Sequence, residues 1–308
     1  MGCYKNPIFV AEICCNHMGS IDLAKVMIDL AKESGVDVVK FQKRDIETWN
    51  KRKPNIYNSP HKDSLNSFGS TYKEHRKFLE FTFEEHKELK KYCDDKKIKY
   101  SCSVWDLTSA KQICSLNPPM IKIASACNNN FEMMEWICDN YFGEIHLSLG
   151  MTSKKDIENI VQFFIKKKRN KDLYLYTCTS GYPVKYKDMC ILEILNIKSK
   201  YSKYIKGIGF SGHHLGTAID IAAYTLGANI IERHFTIDKS LKGTDQKVAL
   251  TKEEFQKLIK DIKDTQKALK YKKVDILDVE KSNKEKLKWW SIIMLLWYQL
   301  EAEVNQSL

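Results

Sequence analysis

Several polar side chains stand where an apolar run would otherwise continue, and their types suit phosphate, carboxylate and metal chemistry. Lys122 sits between Ile121 and Ile123, and Lys40 follows Val38-Val39. A lysine is rarely placed inside such a run unless an anion compensates it. Other apolar runs close on Glu12 (then Asn16-His17), on Gln42, on Ser103 with Asp106, on Ser125 and on Ser148. Three more close on Thr179-Ser180-Gly181-Tyr182, on Ser211-Gly212-His213-His214, and on Glu232 with His234. Ammonium and hydroxyl groups beside small residues that admit backbone N–H groups make a cradle for phosphate and carboxylate. His213 and His234 suit two ligands of one divalent metal with open positions. A metal so placed polarises a carbonyl or activates water. Run ends that simply meet water would account for some of the serines, but poorly for Lys122.

These residues share a site only if the chain brings the run ends together. Short apolar runs at 8–13, 36–41, 99–103, 121–124, 144–148, 173–177, 205–210 and 229–232 alternate with helical patterns. The helical stretches are expected at 22–34, 83–96, 107–116, 131–141, 154–168, 187–199, 217–226 and 252–270. Eight strand–helix units in a row imply right-handed crossovers and a parallel sheet. Closure into a (β/α)8 TIM barrel is expected, because no GxGxxG follows the first run to favour a dinucleotide fold. His213 and His234 then fall on adjacent strands at the C-terminal mouth. The polar segment 43–80 has little periodicity and reads as a functional loop or lid. The barrel is expected over 1–270, followed by a basic and then Trp-rich apolar tail at 271–308.

Composition narrows the class. The chain has 308 residues, 43% hydrophobic and 29% charged, with a net charge of +11. Of its 50 basic residues only 5 are arginine, and the densest lysine cluster alternates with acids, so a nucleic-acid partner is not expected. No apolar run reaches the roughly 18 residues of a membrane span. The first residues show no secretory or myristoylation pattern. The 10 cysteines lack CxxC spacing and read as reduced core thiols of a cytoplasmic protein, Cys14, Cys102 and Cys178 among them. His17, His61, His75, His86, His146 and His214 read as structural or solvated. The cations at 166–169 read as the end of a helix.

Taken together, the run ends resemble the sialic acid synthase (N-acetylneuraminate synthase) family. The matching segments are 9–19 (FVAEICCNHMG), 36–42 (VDVVKFQ), 122–125 (KIAS), 148–151 (SLGM), 178–183 (CTSGYP), 209–216 (GFSGHHLG), 231–236 (IERHFT) and 243–245 (GTD). The resemblance implies condensation of phosphoenolpyruvate with an N-acylmannosamine-type sugar, releasing phosphate and giving a sialic-acid-like nonulosonic acid. It implies Mn2+ or Mg2+ on His213 and His234, which would make the sugar's aldehyde electrophilic. Lys40, Ser103, Lys122, Ser125, Ser148 and Ser211 would hold phosphoenolpyruvate, with Ser180 beside them in the CTSGYP segment. Glu232 would assist water, and Glu12, Gln42, Tyr182 and Asp245 would contact the sugar. The family typically assembles as a homodimer.

The chain departs from the family pattern around the sugar. Cys127 stands where an acidic residue is usual, Gly181 where Asn or Ala is often found, Gly212 where many members carry Asp and Gln246 where many carry His. The usual C-terminal antifreeze-like domain has no counterpart after Lys270, so either the 43–80 segment closes the site or the chain is incomplete. Three other readings stay open. One is a synthase acting on a phosphorylated aldose, another a Schiff-base aldolase using Lys122, and the third a non-catalytic barrel that binds an acidic sugar or a partner.

Overall fold

The computed structural model describes residues 4–289, 294, 296 and 297. The β-branched runs form eight parallel strands closed in chain order: β1 (Ile8–Glu12), β2 (Val38–Lys43), β3 (Lys99–Val104), β4 (Met120–Ile123), β5 (Glu144–Ser148), β6 (Leu173–Cys178), β7 (Gly207–Gly212) and β8 (Ile230–His234). The chain is therefore a TIM barrel, as expected. Its strands are buried on both faces, which is why they read as near-continuous apolar runs. Val10, Val38, Met120, Tyr174, Tyr176 and Ile230 fill the interior. Side chains on a strand return to the same face every second residue. One step further along those strands, Glu12, Lys40, Lys122, Cys178 and Glu232 therefore stand on the apolar plug, facing the mouth.

The first outer helix, α1 (Ile21–Ser34), begins at a Ser20 cap and ends at Gly35 in the left-handed conformation. Segment 43–80 contains α2 (Ile46–Arg52), α3 (Pro54–Tyr57) and α4 (Tyr72–Leu79). This corrects the expectation of a loop: four-residue amphipathic spacing is hard to see in helices this short. The segment packs through Phe68 and Leu79 on Cys14 and Cys15. It is tied down by Arg44, which pairs with Glu80 (3.5 Å) and lies 3.7 Å over the Trp105 ring.

Next come α5 (Phe83–Asp95), α6 (Leu107–Ser115), α7 (Phe131–Asn140), α8 (Lys154–Lys166), α9 (Glu193–Tyr201), α10 (Ala218–Leu226) and α11 (Lys252–Ala268). Capping boxes at Thr82/Glu85 and Ser153/Asp156 start α5 and α8, and Asp106 caps α6. The helix expected at 187–199 begins only at Glu193, after a 3-10 turn at Tyr186–Asp188. The strand expected at 205–210 runs from Gly207 to Gly212, because Ile205 is buried as a connector rather than a strand residue. Arg169 does more than end a helix: its guanidinium donates to the carbonyls of Cys138 in the last turn of α7 and of Tyr141 and Gly143 just after it.

Residues 269–308 form a second unit, distinct from 1–268. Within it, α12 (Asp278–Leu287) buries no residue and is flanked by a Lys272–Glu280 ion pair at 2.7 Å. Most of the Trp-rich run expected at 289–298 lies outside the described residues. No described helix is long and apolar enough to cross a membrane.

Candidate active site

Four buried charges of alternating sign line the barrel floor at its C-terminal end. Glu12 contacts Lys40, Lys40 lies 3.7 Å from Glu232, and Glu232 in turn contacts Lys122. The register explains the chain of contacts, because Glu12 pairs with Lys40 across β1 and β2 and Ser211 pairs with Glu232 across β7 and β8. Ser211 donates to Glu232 at 3.0 Å and Lys40 donates to Ser103 at 2.8 Å. The Lys122 ammonium also lies 4.1 Å over the Tyr176 ring. Burial alone would raise Glu232, but Lys122 and Lys40, with hydrogen bonds from Lys122 and Ser211, hold it at about 2. Burial draws Lys40 down to about 7, with Lys122 adding to the shift. Glu232 opposes that shift. Buried lysines of this kind persist only with anionic partners.

The loops after β4 and β5 build a second part of the mouth. Gly150 donates its N–H to Ser125 at 3.1 Å, and a Cβ on Gly150 would lie 2.7 Å from that same oxygen. Only glycine lets this backbone press so close. Ser148 is buried at the end of β5, where its carbonyl accepts from Asn128 at 3.0 Å. Ser180 is exposed and lines a cavity of about 600 Å³ with Met151, Thr152 and Cys190. Ser125 and Ser180 thus flank Gly150 and neither hydrogen-bonds a lysine.

Above the charges, the His213 and His234 rings lie 5.3 Å apart. The Tyr182 ring covers them, 4.4 Å from His213 and 5.9 Å from His234. His213 Nδ1 faces the Thr179 carbonyl at 3.0 Å, and a carbonyl only accepts. Nδ1 therefore carries the proton and Nε2 keeps its lone pair. Burial, reinforced by His234, lowers His213 to about 3, and burial lowers His234 as well. Both imidazoles are neutral, as metal ligands must be. His234 Nδ1 is buried without a hydrogen-bond partner and stands 3.9 Å from Asp245. An orphaned donor set of this chemistry fits a divalent ion.

Glu12, Gln42 and Asp245 border the same space, and Gln42 donates to Glu12 at 3.4 Å. Asp106 instead serves structure, accepting from the backbones of Asp45 and Ser109. His214 points away from the mouth toward Arg233 (3.1 Å) and Asp220 (3.2 Å). His17 stacks on Phe81 at 4.0 Å. The family departures have local reasons. Gly212 is close to His214 and Phe210, each 2.9 Å from where a Cβ would lie, and buried Gln246 accepts from Thr236 at 2.5 Å. Cys127 Sγ meets the Trp105 carbonyl at 3.1 Å.

Sequence reasoning missed Arg44, Arg76 and the pairing of Cys14 with Cys15. Arg44 donates to Gln42 at 2.5 Å, which ties the 43–80 segment to the mouth beside Glu12. A signal existed. In a chain with 45 lysines and 5 arginines, a retained arginine marks a place where the rigid guanidinium fork matters.

Residues 27–274 match the model of the NeuB family. The chain is 36% identical over 288 residues to the N-acetylneuraminate-9-phosphate synthase of Mus musculus, covering 92% of this chain and 77% of that protein. It is 31% identical over 270 residues to the N,N'-diacetyllegionaminic acid synthase of Campylobacter jejuni, covering 86% and 78%. A crystal structure of the N-acetylneuraminic acid synthetase of Leptospira borgpetersenii superposes with a TM-score of 0.76 at 29% identity, covering 92% of each chain.

Proposed function

Because this chain belongs to the NeuB family of phosphoenolpyruvate-condensing nonulosonic acid synthases, we propose that it joins phosphoenolpyruvate to an N-acylmannosamine-type sugar. The observation that carries this reading is the buried Glu12–Lys40–Glu232–Lys122 series beneath a neutral histidine pair. Lys40 and Lys122 would take the phosphate and carboxylate of phosphoenolpyruvate, with hydroxyls from Ser103, Ser125, Ser148 and Ser211. Ser180, which lies against Gly150, would join them only through that loop. Glu12, Gln42, Tyr182 and Asp245 would hold the acceptor sugar over the enol.

His213 and His234 would hold Mn2+ or Mg2+, which when bound supplies Lewis acidity toward the acceptor's aldehyde oxygen. C3 of the enol forms a bond to the aldehyde carbon, whose oxygen takes up a proton. Water adds at C2, and the C2–O bond to phosphate then breaks, releasing inorganic phosphate and leaving a ketone. Glu232 would accept the proton of that water. Held at about 2 by two lysines it is a weak base. Its basicity returns toward the ordinary carboxylate range once a phosphate takes the lysines over.

The match to a 9-phosphate synthase favours a phosphorylated acceptor as the specific form. Phosphoenolpyruvate contributes three carbons, so C9 of the product is C6 of the hexosamine. The test is phosphate release with Mn2+ across N-acylmannosamines, their 6-phosphates and phosphorylated aldoses. Release with an N-acylmannosamine or its 6-phosphate, abolished by chelation and by His213→Ala, supports the reading. Release only with a simple phosphorylated aldose, or none from folded, metal-loaded protein, overturns it.

A further inference from the structure

Beside the histidine pair lie two thiols that this chemistry does not use, set against Asp245, which it does. The Sγ atoms of the adjacent Cys14 and Cys15 are 3.8 Å apart, and they lie 3.1 and 3.6 Å from Asp245 Oδ2. Both cysteines are buried, at 5% and 6% exposure, under Leu79 and Phe68. Cys14 adopts a left-handed backbone conformation (φ 51°), which a residue with a Cβ takes up only at a cost.

The geometry points to a second cation site formed by Cys14, Cys15 and Asp245, selective for soft divalent ions such as Zn2+ or Cd2+. In a tetrahedral zinc site with Zn–S of about 2.3 Å, two thiolates stand about 3.8 Å apart, the separation found here. The three ligand atoms lie within 4.8 Å of one another. The charge also balances. Binding expels two thiol protons to solvent, leaving two thiolates and one carboxylate against a divalent ion and the Arg76 guanidinium. Arg76 lies within electrostatic reach of both thiols and of Asp245, and its Nη1 is buried without a partner. A buried site of zero net charge avoids the desolvation penalty that an unpaired ion would carry. Thiolate donors separate this site from the imidazole centre, because they prefer soft ions over Mn2+ and Mg2+. A fourth position remains for water. Occupancy would withdraw Asp245 from the acceptor side of the mouth, so a soft ion would inhibit turnover.

The binding assignment does not depend on the synthase reading, because its readout is spectroscopic. Reduced full-length protein saturated with Mn2+ is titrated with Cd2+ while thiolate-to-cadmium absorption in the ultraviolet is followed. The expected result is one equivalent of bound Cd2+, undisplaced by Mn2+, lost in Cys14→Ser and in Cys15→Ser and retained in Cys190→Ser, which removes the exposed thiol among the described residues. The cadmium-113 resonance of the wild-type protein, expected at the position of a two-sulfur site, gives a second measurement should either variant fold poorly. Absorption that persists in both variants, displacement by Mn2+, or a resonance typical of all-oxygen ligation overturns the assignment.

Discussion

At the scale of single residues, the mouth is a set of buried charges whose neutrality depends on every member. Glu232→Gln keeps shape but leaves Lys40 and Lys122 sharing fewer anions. Breaking a buried pair from one side typically costs about 3–5 kcal/mol. The expected outcome is a loss of that order in urea unfolding, together with a fall in phosphate release of roughly 100-fold or more. Gly150→Ala tests a different cause. The added methyl pushes the backbone N–H off Ser125, so a raised KM for phosphoenolpyruvate with little change in unfolding is expected. Much of this residue layer was readable without coordinates. Lys122 interrupts an apolar run, and His213 and His234 close two others, so their side of the strand follows from period-two alternation. Cys14, Cys15 and Arg76 were not readable in that way. Their meeting with Asp245 joins positions more than 160 residues apart along the chain, and no periodicity encodes such a contact.

At the scale of elements, the strands were easier to place than the segments between them. Ile205 belongs to an apolar stretch and drew the expected start of β7 two residues early. The 43–80 segment hid three helices because each is only four to eight residues long, and α2 buries no residue and is anchored by aromatic contacts such as Trp49 with Trp105 (5.9 Å). Packing of α5 on the barrel carries its own pH dependence. His86 is fully buried beside Phe41, and its Nδ1 lies 2.8 Å from the Tyr100 hydroxyl. Burial, helped by Lys43 and His17, lowers it to about 3. Its folded value lies below its unfolded one, so between about 6.5 and 3 the unfolded chain binds the extra proton. Stability therefore falls as pH drops through that window. From pH 7.5 to 5.5 this one imidazole should cost about 1.4 kcal/mol. Denaturant unfolding at the two pH values checks this, and in His86→Gln the difference should shrink by that amount.

At the scale of the whole molecule, the barrel body ends with α11 at Ala268, and 269–308 forms its own unit. Lys270, Lys272 and Lys273 lie between α11 and α12, and all three are exposed. Lysine-specific proteolysis under native conditions should cut there first and leave a resistant fragment ending at Lys270, Lys272 or Lys273, read by intact mass; early cuts inside the barrel strands would contradict it. The floor of that barrel has a further consequence. Its two lysines and two glutamates sum to zero, so the cavity resembles an ion-exchange resin already loaded with its own counter-ions. On the proposed chemistry an arriving phosphate would find no vacant ammonium and would trade places with a carboxylate that the protein supplies. The displaced carboxylates would be set free at the mouth as the anion goes in. Occupancy by one reactant would thereby prepare the groups that meet the other, with the order of events written into the exchange rather than into any moving part.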